Sequence, residues 1–476
     1  MVYKEASVNT IRTVITILSS LLFAIIIFRT FQAEEVGTYY FWLSITIIVS
    51  IIFNIPYSTL LYLIPKDLEK SKKILTSTVI VTFLLSFLVL IFIFKTLGFE
   101  DYIILSFLGS FIVITQLGHE IVFSAKMLKD SLLFTVISNL LKLLSLLLFI
   151  FFDIKTALSL FFATFISAVC WLIPIRKIMK LNEINFHSLS HVIELIKNSK
   201  EGFYLYLVNI LTYINISVDT ILAGIFLTAF DVGIYNIAGN IMRYVINNIP
   251  SSISFFIFPI LLRSNKKGLL GLSLIIVNVF VLPFVIASIY PYPFVKLISG
   301  GYENHAMLLF YFLPAVICAP ILYTLIRYAL SQKDFFFVKY LALTGILNIL
   351  LNYIAILYGF GINGLAMATS ISIVVFSFIL AYKMRSVLAI SYSIKTIIAG
   401  IALTLLCYIL SIDMPKSFEN DAKALLYAVF FIALSFFVNA ILIYILFINE
   451  SKALLRNIFI LLNKIKDYAM RRFSIT

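Results

Sequence analysis

The sequence is poor in charge. Only 12% of its 476 residues are Asp, Glu, Lys or Arg, about half the ~25% usual in a soluble domain. It has four histidines and three cysteines. Cys170, Cys318 and Cys407 lie singly in apolar runs with no C-x-x-C spacing. They therefore read as small buried hydrophobes, which excludes a disulfide framework or a cysteine zinc site. A Gly-rich phosphate loop, a nucleophile elbow, an H-E-x-x-H helix and paired carboxylates are missing too. Neither an enzyme nor a cofactor is expected. What fills the space is apolar: 62% of residues are hydrophobic and mean hydropathy is +1.09. A water-soluble globular protein is excluded.

Continuous Leu/Ile/Phe-rich runs cover approximately residues 11–30, 39–64, 74–94, 103–124, 131–152, 156–175, 203–226, 232–262, 268–289, 306–330, 335–358, 361–382, 394–412 and 424–449. They lack the alternation of a transmembrane barrel, so helices are the remaining spanning solution. At roughly 20 residues per crossing the expected fold is all-α and polytopic, with about fourteen transmembrane helices. Lys4 and Arg12 precede the first run and no small-residue cleavage site follows it, so that run is expected to be a retained helix.

The formal charge is +14. With the N-terminus in the cytoplasm, even-numbered loops and both tails hold about 25 Lys and Arg, and the opposite loops about five. That asymmetry fits the positive-inside rule and predicts a multi-pass cytoplasmic (inner) membrane protein with both termini cytoplasmic. No soluble basic domain is present to bind nucleic acid, which is not an expected partner.

The two halves of the chain repeat each other. Val36-Gly37-Thr38-Tyr39 corresponds to Val232-Gly233-Ile234-Tyr235, and Asn54-Ile55-Pro56 to Asn248-Ile249-Pro250. Pro65 and Pro259 follow, each nine residues after the previous proline, and Lys129-Asp130 matches Lys333-Asp334. The offset pairs six helices with six and keeps their orientation, which predicts a parallel pseudo-repeat about an axis along the membrane normal. The expected divisions are an N-terminal lobe (1–180), a cytoplasmic amphipathic linker (181–202), a C-terminal lobe (203–388), two further helices (389–450) and a basic cytoplasmic tail (451–476). The tail suits either a surface helix on an anionic leaflet or a loosely ordered end.

Polar side chains inside these runs need a reason, since an intramembrane charge costs at least ~2.5 kcal/mol on insertion scales. Lys142 lies about 11 residues, or ~16 Å, from either end of its run. That is too far to snorkel, so it must face protein or water, as a cavity cation or in a structural hydrogen bond. Asn139 shares its face. On the eighth run Asn236, Asn240, Arg243 and Asn247 fall within an arc of about 60° and are expected to line a hydrated path. Asn209, Thr212, Asn215 and Asp219 share a broader arc on the seventh. Asp219 and Arg243 lie at similar depth; their pairing, which is also a purely structural alternative, would leave Lys142 uncompensated. Arg327 and Glu120 sit near the cytoplasmic end of their runs and are placed to snorkel, as Arg29 is outwards. Arg12 reads either as a cavity residue or as an orientation charge. His187 and His191 have i, i+4 spacing, but surface histidines on an interfacial helix are commoner than a metal site.

Several stretches resemble bacterial polysaccharide flippases of the Wzx-type O-antigen and capsule branch, in the superfamily that also holds the multidrug MATE exporters. Phe28-Arg29-Thr30-Phe31-Gln32-Ala33-Glu34-Glu35-Val36-Gly37-Thr38-Tyr39 looks like that family's R-x-L-G-P-E-x-F-G-x-Y segment, departing at Gln32-Ala33 where Gly-Pro is usual. Asp219-Thr220-Ile221-Leu222-Ala223-Gly224 and Val232-Gly233-Ile234-Tyr235-Asn236-Ile237-Ala238 are similar to D-x-x-x-x-G … V-G-x-Y-x-x-A. Residues 359–369 resemble G-x-x-G-A-A-x-A-T. The likeness runs to about residue 385.

The resemblance implies two six-helix lobes around a central cavity that moves an oligosaccharide on polyprenyl pyrophosphate between leaflets by alternating access. Lys142, Arg243, Arg12 and Arg327 would attract pyrophosphate, and Asn139, Asn236, Asn240 and Asn247 would bond sugar hydroxyls, with Asp219 beside them. Membrane lipids are expected neighbours; a polysaccharide polymerase and glycosyltransferases are candidate protein partners. Two alternatives compete: a MATE-like antiporter for cationic drugs, which needs free deep carboxylates, and a non-transporting scaffold for glycan synthesis. The arginine-rich first helix of peptidoglycan-precursor flippases is not found.

Overall fold

The computed structural model describes residues 2–53, 68–115, 122, 127–178, 200–250, 253, 267–332 and 334–448. The first Asn-Ile-Pro, Pro65, Pro259, Glu120, His187, His191, nearly all of the 181–202 linker and the basic tail lie outside them, as does the side chain of Asn209.

The described chain is helical, with no strand among the described residues. In order the helices are α1 (Val2–Thr30), α2 (Ala33–Phe53), α3 (Leu68–Thr96), α4 (Tyr102–Thr115), α5 (Leu128–Phe151), α6 (Ala157–Val169) and α7 (Leu172–Ile178). Then come α8 (Lys200–Phe226), α9 (Ala229–Arg243), α10 (Lys267–Val281), α11 (Val285–Ile289), α12 (Tyr292–Ser299) and α13 (Leu313–Ser331). The series ends with α14 (Val338–Leu357), α15 (Gly361–Lys383), α16 (Ile390–Ser411) and α17 (Asp421–Leu446). Each of the fourteen apolar runs of the sequence contains helix where described. Among the described residues ten spans are long and apolar enough to cross a bilayer unaided, and eleven if the bent α8 is one span. The protein is a multi-pass membrane protein.

Side-chain caps set several helix starts. Thr228 and Asp231 form a reciprocal capping box at α9, each side chain accepting from the other's backbone N–H (3.2 and 3.3 Å). Asn420 accepts from the Lys423 N–H at α17 (2.9 Å). Glu35, in the first turn of α2, accepts from the Ala157 N–H at the start of α6 (2.5 Å), so the acidic pair after α1 also caps a neighbour.

These starts share one membrane face with the short connections at 31–32, 97–101, 227–228 and 412–420. There α2 packs along α9 and α8, and α1 reaches α12. Between α2 and α9 the two halves of the chain meet at Gly37 and Gly233. A Cβ on Gly37 would collide with the Ala229 carbonyl oxygen, and one on Gly233 with that of Ala33. The repeated V-G-x-Y is therefore the place where the repeats touch. Its tyrosines, both 1% exposed, turn back into their own halves. The Tyr39 hydroxyl bonds the Thr164 hydroxyl (2.9 Å), and Tyr235 donates to Asp219.

Proline breaks one span. Pro283 cannot donate to the Val279 carbonyl four residues back, and residues 282–284 tighten into a 3-10 turn between α10 and α11. α17 supplies the missing donors: Asn439 Nδ2 donates to the carbonyls of Asn278 (3.1 Å) and Val279 (3.4 Å). One turn away, Ser435 donates to the Pro283 carbonyl (2.8 Å). In lipid such freed groups must find partners in protein.

Candidate substrate site

α8 and α9 bring the central polar residues together. α8 bends by 46° between its Tyr206–Asn215 and Val218–Phe226 parts. At the bend Asn215 donates from Nδ2 to the Leu211 and Leu341 carbonyls (2.8 and 3.2 Å), and its own carbonyl accepts from Asn348 Nδ2 (3.2 Å). Side chains thus share the backbone ladder where the helix turns.

Asp219 follows immediately and is 1% exposed. Its carboxylate accepts from the Thr220 N–H (2.8 Å), the Tyr235 hydroxyl and the Thr369 hydroxyl on α15 (3.2 Å). Arg243 reaches it only at 4.0 Å. The guanidinium's hydrogen bonds go instead to the Thr220 hydroxyl (2.9 Å) and to Asn236 Oδ1 (3.3 Å). Asp219 and Arg243 are therefore a relayed pair, held through Thr220, with every carboxylate contact a donor. Such saturation offsets the desolvation of a buried charge pair.

The four-residue stripe of α9 is not one continuous wet face. Asn236 is fully buried, with Nδ2 donating to the Val232 carbonyl (2.8 Å) and Oδ1 spent on Arg243. Asn240 is half-buried, and its Nδ2 has no hydrogen-bond partner among the described residues. Tyr40 of α2 lies against Asn240 and Arg243. From Tyr244 to Asn248 the helix widens to a π turn, so Asn247 lags its straight-helix angle. Its Oδ1 accepts from the Tyr323 hydroxyl of α13 (2.5 Å). A cavity of about 20 Å³ remains between Asp219, Tyr235, Arg243, Asn247, Thr369 and Phe312. That admits a water molecule, not a sugar. In this conformation Arg243 bonds both Asn236 and Thr220 across the middle of the stripe.

Lys142 lies apart, in the contact between α5 and α1. Its ammonium sits 3.8 Å from the centroid of the Phe23 ring, a cation–π contact. Among the described residues it has no carboxylate partner, the circumstance expected once Arg243 is matched to Asp219. Ring contacts run from Phe23 to Tyr39 (6.3 Å) and from Tyr39 to Tyr40 (5.0 Å), towards Arg243. Asn139 gives its Nδ2 to the Thr135 carbonyl of its own helix (2.8 Å) and is half-buried. Arg327 is also half-buried, one turn beyond Tyr323 on α13. It thus stands one turn from the end of α13 and one turn from the residue that bonds Asn247. Arg12 is half-buried on α1.

Sequence reasoning missed Tyr40, Thr220, Tyr235, Tyr323 and Thr369. Three of them, Thr220, Tyr235 and Thr369, lay inside motifs already marked in the sequence. Asn348 and Asn352, both 0% exposed on α14, were also missed; their i, i+4 spacing was a usable signal.

The sequence profile of the polysaccharide biosynthesis proteins matches residues 2–265, more than half the chain. The chain belongs to that family. Its fold is similar to "Lipid II flippase MurJ, inward closed conformation" (TM-score 0.67, 16% identity, covering 96% of this chain and 99% of that one). It is also similar to the inward-facing conformation of a multidrug resistance MATE family transporter (TM-score 0.59, 14% identity, 83% and 96% covered). No curated protein matches the chain in sequence. At these identities the structures show a shared fold. The family member described here is therefore an all-α polytopic membrane protein of polysaccharide biosynthesis.

Proposed function

We propose that this family member flips a polyprenyl-pyrophosphate-linked oligosaccharide from the inner to the outer leaflet of the cytoplasmic membrane. Its N-terminal lobe (1–180) and C-terminal lobe (203–388) rock about the α2–α9 contact, and 389–450 packs beside the second lobe. Both termini lie in the cytoplasm, so the Gly37–Gly233 face is the outer one and is shut. Family membership supports the polysaccharide pathway; a fold shared with a lipid II flippase supports a lipid-linked cargo.

One observation carries the choice of an anionic cargo. The deep carboxylate, Asp219, is occupied by three donors and an arginine, while Lys142 meets an aromatic face and, among the described residues, no carboxylate. A cavity that opens between them offers spare positive charge, which in a low dielectric acts strongly on pyrophosphate. Arg243, Arg327 and Arg12 are further candidate contacts for the pyrophosphate, and Asn240, beside Tyr40, is one for a sugar hydroxyl. A polymerase and glycosyltransferases are the natural neighbours for such cargo.

Deleting the protein should accumulate lipid-linked oligosaccharide on the cytoplasmic leaflet. Normal surface glycan in the deletion strain would sink the proposal. The MATE-type fold keeps one rival: proton-driven efflux of a cationic dye from vesicles, lost in Asp219→Asn, would favour an antiporter.

A further inference from the structure

Outside the central network, one arginine ties three parts of the closed face together. Arg29 ends α1, beyond the last buried turn. Its Nε donates to the Leu297 carbonyl (3.0 Å), and Nη2 to the carbonyls of Leu297 (2.7 Å) and Lys296 (3.0 Å). Nη1 donates to Asp421, at the start of α17 (2.6 Å). The two carbonyls belong to the last turn of α12, where the helix dipole favours a cation. Asp421 sits in the first turn of α17, where an anion is favoured for the same reason. Gly300, in the left-handed conformation that ends α12 (φ 68°), lets the chain turn away; a Cβ there would stand 3.6 Å from Arg29 Cγ. Lys296 and Glu303 pair across the same turn (2.9 Å), fixing the carbonyls that Arg29 uses.

These bonds join α1 to the packed pair α12–α17 beside an open cleft. A surface cleft of about 510 Å³ lies between Phe28, Arg29 and Phe31 on one side and Ser299, Gly300 and Tyr302 on the other. The arginine side chain is 31% exposed and its partner Asp421 50%. Charge-assisted bonds at such a site are specific in geometry yet remain open to exchange with water and salt. That combination suits a contact that must break and re-form.

We propose that Arg29 is a latch that holds the outer face closed, with α1 as one jaw and the packed ends of α12 and α17 as the other. The helix pair that stands outside the repeat thereby becomes part of the gate. α17 also grips the proline break between α10 and α11 through Ser435 and Asn439, so release of Asp421 is felt along the same helix that braces that break. The latch as a transport gate rests on the alternating-access reading above; its effect on closure is measured separately.

The test places a thiol under the closed crossing. Ala33 is 1% exposed against Gly233, so Ala33→Cys should react slowly with a membrane-impermeant maleimide on intact cells. Adding Arg29→Ala should raise that rate at least several-fold, Arg29→Lys less, and Asp421→Asn by an intermediate amount. An unchanged rate with both Arg29→Ala and Asp421→Asn, on intact cells and on inverted vesicles, overturns the latch. An unchanged rate with Asp421→Asn alone removes α17 from its jaw. A raised rate only on inverted vesicles upholds the latch and reverses the proposed orientation. A raised rate without any change in surface glycan upholds the latch and counts against the flippase reading.

Discussion

Gly37 and Gly233 occupy equivalent places in the two V-G-x-Y repeats and face each other where α2 crosses α9. A Cβ on Gly37 would lie 2.7 Å from the Gly233 amide nitrogen and collide with the Ala229 carbonyl oxygen. Small residues let transmembrane helices approach backbone to backbone, and the gain is van der Waals packing with no hydrophobic term. Gly37→Ala or Gly233→Ala must push the helices apart, at an overpacking cost of about 1–3 kcal/mol. Each should lower the melting temperature in detergent and reduce surface glycan. Unchanged melting in both would mean that the crossing does not need this approach.

Lys142 offers a sharper contrast, because its functional and structural roles predict opposite signs. An intramembrane cation without a carboxylate partner costs at least ~2.5 kcal/mol on insertion scales. Lys142→Met removes that cost while keeping the length of the side chain. It should leave stability unchanged or raised, yet abolish surface glycan, with Lys142→Arg retaining part of it. A Met variant that melts lower and still displays glycan would make Lys142 a packing residue.

Asp219 should behave in the reverse manner. Asp219→Asn removes the charge that balances Arg243 but keeps the shape, and breaking one side of a buried pair typically costs about 3–5 kcal/mol. Adding Arg243→Gln should recover part of that loss, because both residues bond Thr220 and so cannot act additively. Thermal unfolding of the two single variants and the double variant measures this. Strict additivity would dissolve the relayed pair.

Much of this arrangement was legible in the sequence because the bilayer constrains it so strongly. Runs of apolar residues must be helices in lipid, and each of the fourteen contains helix where described. Arg243 and Asp219 were recognisable because charge at mid-span needs a partner. The wet stripe was not legible as drawn. A helical wheel assumes about 100° per residue, whereas the π turn after Arg243 carries Asn247 to Tyr323. Nor does a wheel show depth of packing, and Asn236 is sealed by an arginine on its own helix. Arg29 read as an outward snorkel. Its real partners are carbonyls about 270 residues away along the chain, and backbone acceptors leave no signature in side-chain pattern.

The proline break gives the last test, because it links a backbone vacancy to a side chain on a distant helix. With Pro283 in place, the Val279 carbonyl has no N–H four residues on, and Asn439 takes that position. Asn439→Leu therefore strands the carbonyl in a buried site, which typically costs about 1–3 kcal/mol. Pro283→Ala restores an N–H able to close the helix on Val279, so the same Asn439→Leu change should cost less in that background. Contacting residues of this kind show coupling of 0.5–3 kcal/mol, roughly 1 kcal/mol being expected here. The cycle is read by thermal unfolding of the four proteins in detergent. Equal losses from Asn439→Leu with and without the proline would mean that Asn439 holds α10 for another reason, and the brace from α17 would then not depend on the break.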